Sequence, residues 1–191
     1  MEPSIRRFTP NALRRMLNSI NAIRFLDHSG EIEFFGQKVI LLPREAVTIV
    51  LKELQKVGKS AAVTILRLAG RSVGAHHGRL VLKSLGETGA ATLDPQLLGL
   101  ALEESNIGFG KMRLSSLDLE NLSASVQSKN GFEALDYGRT TQPVCTFTTG
   151  FLEGCFGILF GKQANSEETS CVAKGDEYCE FQISTKNSIH A

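Results

Sequence analysis

The chain has 191 residues, the length of one domain with a terminal extension and too short for two full domains. Its 21 Lys and Arg against 20 Asp and Glu give a net charge of +1, which argues against nucleic acid or an anionic lipid surface as a direct partner. No apolar run reaches the roughly 20 residues that span a bilayer, and the first residues do not lead into a signal peptide. We therefore expect a cytoplasmic protein without a membrane span.

An amphipathic helix is predicted near the start of the chain. Residues 10–26 place Leu13, Leu17 and Ile20 at helical spacing, with arginines among the polar positions. We expect this helix to pack on its own domain or on a second copy of the chain, and we assign residues 1–28 to it. This leaves residues 29–184 as the main domain and residues 185–191 as a flexible tail.

Two short strands and two helices are predicted next. Residues 31–42 are rich in β-branched and aromatic residues and predict a hairpin or two edge strands. A helix from Arg44 to Val57 follows, and Gly58 ends it. Ser60 is expected to cap the next helix, which runs towards Leu85.

Three glycines on this second helix need an explanation. Gly70, Gly74 and Gly78 fall four residues apart, so they share one helical face. Each costs a helix roughly 1 kcal/mol relative to alanine. We therefore expect another backbone or a ligand to approach this face closely.

The period changes in the second half of the chain. Residues 112–126 alternate between apolar and polar and predict two antiparallel strands, with a turn near Asp118 to Asn121. Residues 141–161 predict a second glycine-striped helix that ends at Gly161. The segment that follows predicts a hairpin with Gly175 and Asp176 at its tip. These elements indicate an α/β (α+β) domain.

This last hairpin contains the residues best suited to metal binding. Cys171 and Cys179 flank a short turn and can face each other as two soft, anionic ligands, and Glu168 is the nearest carboxylate. Zinc favours such ligands and prefers four of them in a tetrahedron. Glu168 and Cys171 would lie on opposite faces of a regular strand, so joint ligation requires a bulge or a strand that begins between them.

The fourth ligand is not fixed by spacing. Cys145 and Cys155 are the remaining thiols, and on one helix they would lie about 15 Å apart along the axis and about 80° apart around it. Only one of them can reach a given metal. Spacing alone also leaves open that all four cysteines are buried core thiols or redox-active ones. Two disulfides are disfavoured by a reducing compartment and by a core of this size.

The segment from Cys145 to Phe181 resembles the 4-vinyl reductase domain family, which includes archaeal hydrocarbon-binding domains and the sensor domains of phenol- and toluene-responsive activators. The positions in register are Cys145, Gly150, Gly154, Gly161, Glu168, Cys171, Gly175 and Cys179. The resemblance implies that Cys145 joins Glu168, Cys171 and Cys179 in holding a structural zinc. It also implies an antiparallel sheet packed against glycine-striped helices, as in nitric-oxide sensors and Golgi-transport subunits.

The resemblance further implies that residues 29–184 bind a small apolar ligand. The expected lining is Val73, His77, Phe147, Phe151 and Ile158, residues that would equally suit a plain core. Phenol sensors of this family use a tryptophan and a histidine to orient the aromatic hydroxyl, and this chain has no tryptophan. An apolar, hydrocarbon-like molecule is therefore the expected ligand. Family members tend to dimerise, so we expect a homodimer formed by the helix around Leu13.

A non-catalytic sensory domain is the function that these features favour. The sequence has no nucleophile elbow, phosphate loop, dinucleotide fingerprint or zinc-protease motif, and four ligands would leave a zinc ion no open position. Neither terminal region is long enough for a DNA-binding domain, so we expect the signal to pass to a separate regulatory protein. The alternatives are a redox switch at Cys171 and Cys179, an accessory protein of tetrapyrrole or bacteriochlorophyll synthesis, and a scaffold subunit without a ligand.

Overall fold

A computed structural model describes residues 23–26, 28–34, 37–86, 94–96, 98–99, 102 and 109–185. The chain divides into two compact units, Met1–Pro43 and Arg44–Ala191. This division falls at Pro43, whereas the sequence analysis placed a boundary after residue 28. None of the described helices combines the length and the apolar character needed to cross a lipid bilayer.

The first unit contains a three-stranded antiparallel sheet of β1 (Ile23–Leu26), β2 (Glu31–Phe34) and β3 (Gln37–Val39). The strands predicted within residues 31–42 are confirmed. The helix predicted over residues 10–26 is wrong at its end, because its last four residues pair with β2 as a strand. Arg24 donates to Glu33 across this pair at 3.1 Å, a contact that helical spacing could not indicate. The rest of that predicted helix lies outside the described residues.

Two helices open the second unit, α1 (Arg44–Val57) and α2 (Lys59–Leu85), as the sequence predicts. The capping role predicted for Ser60 is wrong. Gly58 is the N-cap of α2, and Ser60 lies inside the first turn, where its carbonyl accepts a hydrogen bond from the Thr64 hydroxyl at 3.1 Å. The helix therefore begins directly after the glycine that ends α1.

A four-stranded antiparallel sheet forms one layer of the second unit. Its strands are β4 (Lys111–Asp118), β5 (Ser123–Lys129), β6 (Asn165–Ser170) and β7 (Cys179–Ser184), in the spatial order β4-β5-β7-β6. The turn predicted between Asp118 and Asn121 is confirmed, and the Asn121 N–H donates to Asp118 Oδ1 at 2.9 Å. The inner face of the sheet buries alternate apolar residues, including Met112, Val126 and Phe181.

Two further helices complete this unit, α3 (Phe132–Leu135) and α4 (Thr146–Phe160). Helix α4 is apolar around most of its circumference, which is typical of a helix buried on several sides. Phe151, Leu152, Phe156 and Leu159 belong to the main hydrophobic core together with the inner face of the sheet. Helix α4 is therefore the central element of the second unit.

The backbones of α2 and α4 are in direct contact. The glycines at this contact are Gly70 and Gly74 on α2 and Gly150 and Gly154 on α4. A Cβ added to any of these four would overlap a backbone carbonyl oxygen of the facing helix. The facing oxygens belong, in the same order, to Phe147, Phe151, Arg67 and Arg71. The close approach predicted from the glycine spacing is thus confirmed, and the approaching group is another backbone.

One buried carboxylate, Glu153 of α4, ties these helices together. Arg71 donates to Glu153 Oε2 at 3.1 and 2.6 Å, and Arg67 donates to Oε1 and to the carbonyl of Ser166 at 2.9 Å. Burial favours the neutral form of Glu153, but the hydrogen bonds from both arginines outweigh it and hold the pKa of the carboxyl below its usual 4.5.

Replacing Glu153 by glutamine is expected to lower the free energy of unfolding by about 2–3 kcal/mol at neutral pH, because both arginines then face a neutral amide. Since the folded-state pKa of Glu153 is depressed, the advantage of the wild type is complete above the usual pKa of 4.5 and is lost as the pH falls through the folded-state value. Urea unfolding of both proteins, followed into acid, measures this difference. A difference that stays constant as the solution is acidified would contradict the prediction.

Candidate metal centre

Four side chains converge where the start of α4 faces the hairpin of β6 and β7. They are Cys145, Glu168, Cys171 and Cys179, and one ligand atom of each lies within 4.8 Å of the others. The three cysteines are at most 3% exposed, and Glu168 is half-buried. The fold therefore brings together the four residues that the family resemblance selects.

Local irregularities in the chain make this convergence possible. Cys145 is the residue directly before α4, in the N-cap position. The pairing of β6 with β7 shifts between Glu168 and Ser170, and β6 ends at Ser170, so Cys171 lies outside the regular ladder. The bulge that the sequence required is thus confirmed. It allows Glu168 and Cys171 to reach the same point although they are three residues apart.

The turn of the hairpin holds the two cysteines in place. Asp176 Oδ2 accepts a hydrogen bond from the backbone N–H of Cys171 at 2.7 Å. The N–H of Val172 donates to Cys179 Sγ at 3.4 Å. A donor directed at sulfur favours the thiolate, the form that binds metal. The sequence analysis treated Asp176 as part of a solvated acidic turn and so missed this supporting role.

Glu168 has one oxygen bound and one oxygen unbound. Its Oε2 accepts a hydrogen bond from the backbone N–H of Cys145 at 2.8 Å. Its Oε1 is buried and has no hydrogen-bond partner among the residues that the structure describes. A buried carboxylate oxygen without a partner is costly, and a cation held by the three neighbouring thiols would satisfy it.

Crowding of acidic groups dominates the electrostatics of the cluster. Hydrogen bonds from the Cys145 and Cys179 thiols hold the pKa of Cys171 far below its usual 9.0. The pKa of Cys145 is raised, first by its hydrogen bond to Cys171, and burial raises the pKa of Glu168 to about 8. The first negative charge therefore resides on Cys171. A divalent cation would displace the remaining protons, because metal ligands bind in the deprotonated form.

The residues present fit a zinc ion. Three thiolates and one carboxylate are ligand types that zinc accepts, and a Zn–S bond of about 2.3 Å implies sulfur atoms about 3.8 Å apart in a regular tetrahedron. The Sγ atoms of Cys145 and Cys179 lie 3.6 Å apart. Four protein ligands would leave no open position, which is the arrangement of structural zinc sites.

Cys155 is separate from this cluster. It lies in the middle of α4 and is completely buried, and burial raises the pKa of its thiol to about 12. Its surroundings are those of a core thiol.

The residues predicted to line a ligand pocket are placed in different surroundings. Phe147 and Phe151 belong to an aromatic cluster in which Phe109 stacks on both, at centroid distances of 6.0 and 5.6 Å. Phe132 meets Phe109 edge to face, and the ring of His77 lies 5.3 Å from that of Phe151. The sequence analysis missed Phe109 and Phe132, because neither lies on a periodic element.

The other two predicted lining residues lie elsewhere. Val73 is 44% exposed on α2, and Ile158 lines a cavity of about 440 Å³ beside Glu153. A larger cavity of about 830 Å³ lies beside the metal cluster, where Glu168 is one of its lining residues. The aromatic cluster lines neither of these two cavities. The proposed lining as a set therefore stays a prediction.

Glu133 is a further buried carboxylate near the cluster that sequence reasoning missed. It belongs to the four-residue helix α3 and is 2% exposed. Its two oxygens accept hydrogen bonds from the backbone N–H groups of Phe147 and Thr148, each at 2.8 Å. Burial raises the pKa of Glu133 to about 7, against these hydrogen bonds. No sequence signal marks it, since its partners are backbone groups of another helix.

Fold and site together define an α+β domain with a thiol-rich candidate metal centre at the start of its central helix. Residues 125–185 match the 4-vinyl reductase domain family, which confirms the family resemblance over this segment. The phenol regulator MopR of Acinetobacter guillouiae is 26% identical over 168 residues, which cover 84% of this chain and 30% of MopR. An uncharacterized protein of Methanocaldococcus jannaschii is 34% identical over 47 residues, 25% of this chain and 27% of that protein. The matches thus span less than a third of each of these relatives.

Solved structures establish the fold. The phenol-responsive sensory domain of the transcription activator PoxR, solved with phenol, has a TM-score of 0.73 and 22% identity, covering 93% of this chain and 92% of that one. Trafficking protein particle complex subunit 3 of Naegleria fowleri, covalently bound to palmitic acid, has a TM-score of 0.54 and 12% identity, covering 75% and 95%. A vinyl-4-reductase family protein of Methanocaldococcus jannaschii has a TM-score of 0.50 and 19% identity, covering 78% and 85%. The predicted fold class is confirmed.

Proposed function

We propose that this chain is a zinc-containing sensory domain that binds a small apolar molecule and passes the signal to a separate regulatory protein. The observation that carries the proposal is the convergence of Cys145, Glu168, Cys171 and Cys179 within 4.8 Å, in a chain of which 84% aligns with a phenol regulator. The zinc would be structural. It would tie the β6–β7 hairpin to the start of α4, the helix that also contains Phe147 and Phe151.

The ligand in this proposal is an apolar, hydrocarbon-like molecule held beside the aromatic cluster. His77 supports this placement, because it is half-buried against Phe151 and would be the polar group of an otherwise apolar site. Burial lowers the pKa of His77, and the neighbouring His76 lowers it further, so the ring is neutral at physiological pH. A neutral imidazole among phenylalanine rings suits a ligand without charge.

Assembly is the remaining part of the proposal. We expect a homodimer that uses the segment around Leu13 and Leu17, which lies outside the described residues. A monomer in light scattering at micromolar concentration would contradict it. Because MopR is a regulator and the match covers 30% of it, a partner that delivers the output is also proposed.

Native mass spectrometry with elemental analysis, on protein purified without added metal, tests the proposal directly. We expect one zinc per chain, and any additional bound mass would be the candidate ligand. Fully reduced protein that contains no metal would overturn the zinc centre.

Toluene and phenol are matched probes for the ligand, since they share a ring and differ in the hydroxyl group. We expect toluene to raise the melting temperature in a concentration-dependent way, and by more than phenol, because the chain lacks the tryptophan of the phenol sensors. His77→Ala is expected to weaken toluene binding several-fold, whereas His76→Ala, at the exposed neighbouring position, should leave it unchanged. Calorimetric titration measures both. The absence of any shift with either probe at concentrations on the order of millimolar would contradict the ligand class.

A second candidate function is a thiol redox switch, which the 3.6 Å separation of Cys145 Sγ and Cys179 Sγ favours. A two-electron oxidant such as hydrogen peroxide would join these sulfurs and remove two metal ligands at once. Zinc content that stays constant under mild peroxide would exclude this function and leave the structural zinc intact.

A further inference from the structure

We infer that Glu133 is a positioning residue of the metal centre, which caps α4 in place of Cys145 and so leaves the Cys145 thiol available as a ligand. This inference rests on the zinc centre proposed above. It concerns a residue outside the ligand set, from a separate helix.

The N-terminus of α4 needs an acceptor that its own N-cap does not supply. The first N–H groups of a helix have no partner within the helix, and the side chain of the N-cap residue usually accepts one of them. Cys145 is the N-cap of α4 and makes no such bond among the described residues. Its sulfur lies in the thiol cluster instead, 3.6 Å from Cys179 Sγ. The N-cap side chain therefore cannot serve both purposes.

Glu133 supplies the missing acceptor twice. Phe147 and Thr148 are the second and third residues of α4, and each donates its N–H to a different oxygen of Glu133 at 2.8 Å. A carboxylate at this end of a helix is also favoured by the helix dipole. The buried side chain of Glu133 thus takes over the hydrogen-bonding role that serine, threonine or aspartate has at most helix starts.

The result is that the backbone of Cys145 is fixed on both sides. Its own N–H donates to Glu168 Oε2 at 2.8 Å, and its carbonyl accepts from the N–H and the hydroxyl of Thr149 at 2.9 and 2.8 Å. With Glu133 holding the two N–H groups between these points, the direction of the Cys145 side chain is set towards the other ligands. Two carboxylates therefore divide the work, Glu168 as a ligand and Glu133 as the cap.

The test compares Glu133→Gln with Glu153→Gln, which changes another buried carboxylate at the second unit's central helix but away from the cluster. Zinc affinity is measured by competition with a chelator, and the ligand set by the absorption spectrum of the cobalt(II)-loaded protein. We expect Glu133→Gln to lower zinc affinity about 10-fold or more, as loss of groups that orient metal ligands commonly does, and to change the cobalt spectrum. Glu153→Gln should change neither, although it lowers stability.

A second measurement covers the case that Glu133→Gln is too unstable to load. A serine at an N-cap can cap its own helix, so in metal-free protein Glu133→Gln should cost less stability in a Cys145→Ser background than in the wild type. An equal cost in both backgrounds would overturn the inference. So would an unchanged zinc affinity and cobalt spectrum in Glu133→Gln, or an equal loss of affinity in Glu153→Gln. Wild-type protein that binds neither ion would overturn the zinc centre itself and this inference with it.

Discussion

Replacement of Cys171 by serine is expected to abolish stoichiometric zinc binding and to lower the free energy of unfolding by about 4 kcal/mol or more, as loss of a structural metal can do. Cys171 is completely buried and is the thiol whose pKa is lowest in the cluster, because Cys145 and Cys179 both donate to it. A serine hydroxyl keeps nearly the same shape but does not ionise, so the tetrahedron loses its most acidic ligand. The hairpin then loses its connection to α4.

Cys155→Ser is the matched control. It makes the same change of sulfur to oxygen at another completely buried position, outside the cluster. We expect it to retain one zinc per chain and to cost about 1–3 kcal/mol, the usual penalty for burying a poorly satisfied hydroxyl. Equal loss of zinc in both variants would mean that metal binding reports general stability and not the four ligands.

A chelator separates the effect of the metal from that of the mutation. In the wild type, removing zinc should lower the melting temperature towards that of Cys171→Ser, and in Cys171→Ser the same chelator should change nothing. Elemental analysis before and after treatment confirms the removal. A melting temperature of the wild type that is insensitive to complete removal of zinc would contradict a structural role for the ion.

The elements that could be predicted from the sequence are those whose signals are local. The helix Arg44–Val57 and its end at Gly58 follow from apolar spacing and one glycine, and the turn after β4 follows from a change of period. Strand β1 was missed because its identity depends on pairing with Glu31–Phe34, while its own residues continue the helical spacing of the preceding segment. Pairing between segments is a tertiary property that a helical pattern can conceal.

The candidate site divides in the same way. The hairpin ligands Cys171 and Cys179 and the need for a bulge at Glu168 could be derived from residues close in sequence. Cys145 could be chosen over Cys155 only through the family resemblance, since its contact with Cys179 spans 34 residues. Glu133 gave no signal, because a side chain that binds backbone N–H groups does not require a particular residue type in its partners.

Substitution of Gly74 by alanine is expected to destabilise the protein by about 3 kcal/mol, although alanine normally stabilises the interior of a helix by about 1 kcal/mol relative to glycine. The added methyl group would overlap the backbone carbonyl of Phe151, so no change of side-chain rotamer can relieve it. Helices α2 and α4 would have to separate, and the hydrogen bonds between Glu153 and its arginines would lengthen. Gly74→Val should prevent folding altogether.

Gly157→Ala provides the comparison that makes this prediction decisive. Gly157 lies on the same glycine stripe of α4, but the nearest atom to an added Cβ is the Lys162 carbonyl oxygen at 3.6 Å, an ordinary van der Waals contact. Here the intrinsic preference of the helix for alanine should prevail, with a gain of up to about 1 kcal/mol. Denaturant unfolding of the two variants should therefore give changes of opposite sign. If Gly74→Ala were as stable as Gly157→Ala, the two helix backbones would not be in contact at Gly74, and the glycine spacing would need another explanation.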